Sequence, residues 1–94
     1  MNITNTETFR TALESGQLAE AERFLDEVKN NPDQFSQYDE RWIDHRERGV
    51  FAAYRDSGDY VAAKRIVESS VKPESKAGRM KNLQQVAGKP YEEI

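Results

Sequence analysis

Apolar residues recur along this chain at helical spacing and nowhere alternate with polar ones for long, which predicts helices and no sheet. Thr4 and Glu7 have capping-box spacing, so a first helix is expected from about residue 5. Phe9, Ala12 and Leu13 give it an apolar face, and Ser15-Gly16 ends it. Leu18, Ala21, Leu25 and Val28, with Phe24 beside them, mark a second helix that stops at Asn30-Asn31-Pro32. So short a connection predicts an antiparallel hairpin. Asn31 is the expected cap of a long third helix, with Pro32 in its first turn, running from about residue 33 to Asp56. Ser57-Gly58 ends it. A fourth helix carries Tyr60, Ala63, Ile66 and Val67 and fades at Ser69-Ser70. A fifth begins at Pro73, places Met80, Leu83, Val86 and Ala87 on one side, and stops at Gly88 and Pro90.

Composition narrows this all-α reading. Residues 1–90 fit one domain with a thin core, and residues 91–94 a short, mobile tail. The net charge of −3 gives no global basic excess for DNA or RNA. The absence of cysteine removes disulfides, thiolate catalysis and cysteine-ligated zinc. Met1-Asn2-Ile3-Thr4 lacks the basic start and apolar run of a signal peptide, and no apolar run is long enough to span a membrane. A cytoplasmic, soluble protein is expected.

The chain also repeats itself. Slid by 42 residues, Phe9 falls on Phe51, Ser15-Gly16 on Ser57-Gly58, Ala21 on Ala63 and Arg23 on Arg65. Leu18 meets Tyr60, Phe24 meets Ile66 and Leu25 meets Val67. These five identities in one short window exceed the roughly one expected by chance, and a fixed period of this size points to stacked helical hairpins. The turn glycine lets two helices fold back, and the small alanine lets their backbones approach.

Tyr54, Ser57-Gly58-Asp59-Tyr60 and Ala63 resemble the central part of a tetratricopeptide repeat. Ala12, Gly16, Leu18, Ala21 and Asn30-Asn31-Pro32 resemble a weaker copy, and residues 73–88 the helix that closes such arrays. The period of 42 departs from the family's usual 34, which the long third helix would explain, and the family's early aromatic and glycine positions are missing. The resemblance implies two stacked hairpins with a C-terminal capping helix. It also implies a protein-binding scaffold whose ligand lies on a concave surface lined by the first helix of each hairpin.

On a helical wheel the third helix shows a broad apolar arc of Phe35, Tyr38, Trp42, Ile43, Val50, Ala53 and Tyr54. Arg46 intrudes on that arc with its head snorkelling to water, and Gly49 leaves room there for another helix. Arg41, His45, Arg48, Ala52 and Arg55 form a basic stripe, and Glu40, Asp44 and Glu47 an acidic one taken as solvated. The resemblance implies that the basic stripe lines the concave face, where Arg10 joins it. Arginine forks suit carboxylates and phosphates, so Arg10, Arg41, His45, Arg48 and Arg55 are the candidate partner-binding residues. The competing reading is a solvated face whose arginines pair with acids between Glu40 and Asp56.

His45, the one histidine, has no metal ligand and no orienting base partner at helical spacing. Trp42 is a core residue, or an interface anchor if its edge is exposed. Tyr91-Glu92-Glu93-Ile94 is similar to the phosphotyrosine ligand of Src-type adaptor domains, and otherwise a polar end. No phosphate loop, nucleophile elbow or paired-histidine motif occurs, so neither an enzyme nor a cofactor is expected. The function expected is a protein–protein interaction module taking a protein or acidic peptide segment. The alternative is a small nucleic-acid- or nucleotide-responsive regulator using the arginine stripe. Self-association through an exposed helical edge also fits so short an array.

Overall fold

The computed structural model describes residues 3–94; Met1 and Asn2, part of the start read for a targeting signal, lie outside the described residues. Five α-helices follow one another: α1 (Thr6–Glu14), α2 (Leu18–Asn30), α3 (Glu40–Asp56), α4 (Tyr60–Glu68) and α5 (Pro73–Ala87). A single 3-10 turn at Tyr91–Glu93 follows, and there is no strand among the described residues. No helix among the described residues is long and apolar enough to cross a membrane.

The helix ends show how local chemistry sets the elements. Asn5, not Thr4, caps α1: its side chain accepts from the Thr8 amide at 2.9 Å, and the Thr8 hydroxyl accepts from the Asn5 amide at 3.1 Å. The expected box is therefore shifted by one residue. Gly16 and Gly58 end α1 and α3 in the left-handed conformation, with φ of 79° and 85°. Both turns carry the same Schellman bonds. Gly16 donates to the Leu13 carbonyl and Gln17 to Ala12; Gly58 donates to Arg55 and Asp59 to Tyr54.

The start of α3 differs from expectation. The helix begins at Glu40, seven residues later than the pattern suggests, and its cap is Asp39, which accepts from the Trp42 amide at 2.8 Å. Asn31 does not cap it; its side chain donates back to the Glu27 carbonyl of α2. Residues 32–37 form consecutive turns and Tyr38 a bend. The aromatic spacing of Phe35, Tyr38 and Trp42 that imitates a helix is used differently. Tyr38 stacks on Trp42 at 4.0 Å between centroids, and Phe35 meets Phe24 edge-on at 5.9 Å. Part of the long period thus lies in this turn segment rather than in extra helix.

Two antiparallel hairpins, α1–α2 and α3–α4, pack together with α5 against α4. α1 and α5 each touch α3, while α2 lies against α1 and α3, and α4 against α3 and α5. The result is a slab of 38 × 28 × 15 Å, with α1, α3 and α5 side by side and α2 and α4 behind them. Phe9, Ala21, Leu25, Val50, Phe51, Ala63, Val67 and Leu83 fill the seam. The aligned pairs Phe9/Phe51 and Ala21/Ala63 are all buried. Val86, placed on the apolar side of α5 by its spacing, is exposed instead.

One element of the core is ionic. Glu47, read as part of a solvated acidic stripe, is 0% exposed. Its carboxylate accepts from Lys29 Nζ at 2.8 Å and from the Val71 amide at 3.2 Å, with Arg79 3.5 Å away. Arg79, itself buried, donates to the Asp44 carboxylate at 3.0 Å and to the Ser70 hydroxyl at 3.0 Å. This cluster ties α2, α3, the α4–α5 connection and α5 together. It fixes the spacing of α5 from α3.

The tail lies against α4 and α5: Lys64 Nζ donates to the Tyr91 and Ile94 carbonyls and stands 4.7 Å from the Tyr91 ring centroid. The Tyr91 hydroxyl oxygen is buried. The phosphotyrosine-ligand reading needs that oxygen accessible, so it does not hold for this conformation.

Candidate functional site

The basic stripe of α3 lies on the face formed by α1, α3 and α5, but it is divided between two grooves. The first is a cleft of about 310 Å³ between α1 and α3. Phe9 and Leu13 make its apolar floor, and Arg10, His45 and Arg46 stand at its rim. Gly49, also in its lining, lets Leu13 pack closely on α3: a Cβ there would sit 3.1 Å from Leu13 Cδ1, tighter than ordinary contact. The second groove, of about 430 Å³, runs between α3 and α5 and holds Arg48 and Arg55. Arg41 lines neither groove and is exposed near the start of α3.

The five predicted residues are thus not one cluster. Arg10 and His45 are brought together across α1 and α3. Arg48 is exposed beside them on α3. Arg55 is half-buried: its Nε donates to the Asp56 carboxylate at 3.0 Å and its Nη1 to the Asn82 side-chain oxygen at 2.8 Å. Its guanidinium also stands 5.6 Å from the Phe51 ring centroid. The reason is α5, whose Asn82 supplies an acceptor that no pattern within α3 announces.

The charges around the molecule are distributed unevenly. The chain has eight arginines. Arg23, Arg55, Arg65 and Arg79 all have a carboxylate partner. Arg65 holds Glu22 in a two-pronged pair at 2.6 and 2.8 Å, and this bond lowers the Glu22 carboxyl below its ordinary range despite the opposing effect of burial. The other four, Arg10, Arg41, Arg46 and Arg48, make no ion pair among the described residues. All four belong to α1 or α3. Arg46 rests over the Trp42 ring at 5.0 Å, in keeping with a stem along the apolar arc and a head in water.

Trp42 is not a free anchor. Its indole N–H donates to the Thr6 hydroxyl at 3.0 Å, which ties α3 to α1. Asp44 borders the second groove, but Arg79 answers its charge. Burial pushes the Asp44 carboxyl up, while Ser75 and Arg79 pull it down further, so the net displacement is downward and the group stays ionised. Sequence reasoning missed Asn82 and Gly78 of α5 as groove residues, since the apolar spacing of α5 does not say which helix its polar side meets.

No protein family, curated protein or solved structure matches the chain.

Proposed function

We propose that this chain is a protein-interaction module that holds an acidic segment of a partner on the face made by α1, α3 and α5. The observation that carries the reading is the charge distribution just described: Arg23, Arg55, Arg65 and Arg79 are paired within the fold, while Arg10, Arg41, Arg46 and Arg48 on α1 and α3 make no ion pair among the described residues. Like charges gathered on one face repel one another, and an anionic occupant relieves that repulsion. Exposed ion pairs contribute little each, typically about 0.2–1 kcal/mol, so charge supplies orientation and on-rate rather than all the affinity. The apolar floor of Phe9 and Leu13 supplies the rest by burying a large side chain of the segment.

The tetratricopeptide-like reading supports the same assignment. Matching Schellman turns at Gly16 and Gly58, buried alanines at 21 and 63, and a fifth helix in contact with the third support that reading. In it the groove-lining helices are α1 and α3.

Selection of displayed random peptides on the immobilised protein tests the proposal. The expected products are acidic peptides with a large apolar residue, and they lose binding to a folded Arg10→Ala/Arg48→Ala variant. Products without acidic bias, or retention by that variant, would overturn it. So would displacement of the peptides by nucleic acid at lower concentration than by a carboxylate-rich competitor.

A further inference from the structure

The α3–α5 groove contains a residue that the fold does not explain. Gly78 sits in the interior of α5, between Ser75 and Asn82 on the groove wall. Glycine inside a helix destabilises it relative to alanine, because the unfolded chain gains freedom and no side chain packs. A glycine there is accounted for structurally by a left-handed backbone or by close approach of a neighbour. Gly78 has neither reason. Its φ is not positive, and a Cβ built on it meets nothing within 4 Å. Gly49 shows the contrast: it is also mid-helix, but Leu13 occupies the space its side chain would need.

Gly78 lines the groove together with Arg48 and Arg55. Arg48 is exposed and makes no ion pair among the described residues. Asn82 and Asp56 fix the Arg55 guanidinium through Nη1 and Nε, and its Nη2 donates to no described partner. Arg79 answers the Asp44 carboxylate in the same groove and Asp56 answers Arg55, so Arg48 is the groove's uncompensated charge and Arg55 adds an oriented guanidinium beside it. We infer that the α3–α5 groove is the subsite for a carboxylate side chain of the partner segment, seated against Arg48 and Arg55, and that Gly78 is the residue that admits it. The inference rests on the interaction-module reading and adds to it a second, separate point of attachment. Oriented arginine donors suit a carboxylate, and a side chain added at Gly78, which lines the groove, is expected to narrow it.

The probe is the most enriched acidic peptide from the display selection, labelled with fluorescein and followed by anisotropy. Wild type is compared with Gly78→Ala, Gly78→Met and Arg10→Ala, each with a thermal melt. Both Gly78 variants are expected to melt at the same temperature or higher, since alanine and methionine favour helix. Gly78→Ala is expected to weaken binding several-fold and Gly78→Met by more than about tenfold. Full affinity in Gly78→Met overturns the inference, and so does a lowered melting temperature in both variants, which would make the glycine structural. If Gly78→Met binds normally while Arg10→Ala loses the peptide, this subsite falls and the α1–α3 cleft stands. Indifference of the peptide to all three substitutions removes both.

Discussion

Glu47 is the residue on which the arrangement of helices most depends. A carboxylate with no exposure is tolerable only because Lys29, Arg79 and the Val71 amide all point at it. Glu47→Gln keeps the shape but leaves two cations facing a neutral group. Breaking a buried pair in this way is expected to destabilise by about 3–5 kcal/mol, read as a drop in the urea midpoint at unchanged slope. A loss under about 1 kcal/mol would show the cluster to be open to water. Nothing local to α3 reveals this role, because Glu47 shares an angular stripe with exposed Glu40 and its partners lie on other helices. Glu22 makes a prediction about pH. Arg65 and, more weakly, the Tyr54 hydroxyl hold it below its ordinary 4.5. A depressed folded pKa contributes stability that is present above 4.5 and lost as pH falls through the folded value. Stability is therefore expected to decline below about pH 4.5, with a shallower decline in Glu22→Gln. Equal slopes in the two proteins would contradict this.

At the level of helices, the hairpin turns were legible and the entry to α3 was not. Ser-Gly pairs at 15–16 and 57–58 announce a left-handed residue after a helix, and both glycines adopt it. Gly58→Val forces a β-branched residue into that conformation and should cost about 1 kcal/mol or more in thermal or urea unfolding. Ala63 has no exposure where α3 and α4 meet, so Ala63→Leu should cost on the order of 1–3 kcal/mol through overpacking. Unchanged stability in either variant would mean that the hairpins pack differently. The start of α3 was obscured because Phe35, Tyr38 and Trp42 are spaced as on a helix, yet they meet through a string of turns. Asp39, three residues before Trp42, was the cap that the aromatic pattern hid.

For the whole molecule, the stripe of cations on α3 was visible on a helical wheel, but its division between two grooves was not. That division depends on α5, which places Asn82 against Arg55 and Gly78 beside Arg48. Arg10 and Arg48 are exposed and carry no ion pair among the described residues. Arg10→Ala/Arg48→Ala should therefore shift stability by less than about 0.5 kcal/mol. The same substitution should weaken an acidic peptide markedly and reduce the salt dependence of its binding. The central claim is that the α1–α3–α5 face receives the partner, and backbone amide shifts in a titration of the labelled protein with a selected acidic peptide test it most directly. The account predicts that the moving resonances cluster at Arg10, Leu13, His45, Arg48, Gly49 and Gly78. Perturbations confined to the outer surfaces of α2 and α4, around Arg23 and Val61, would contradict it.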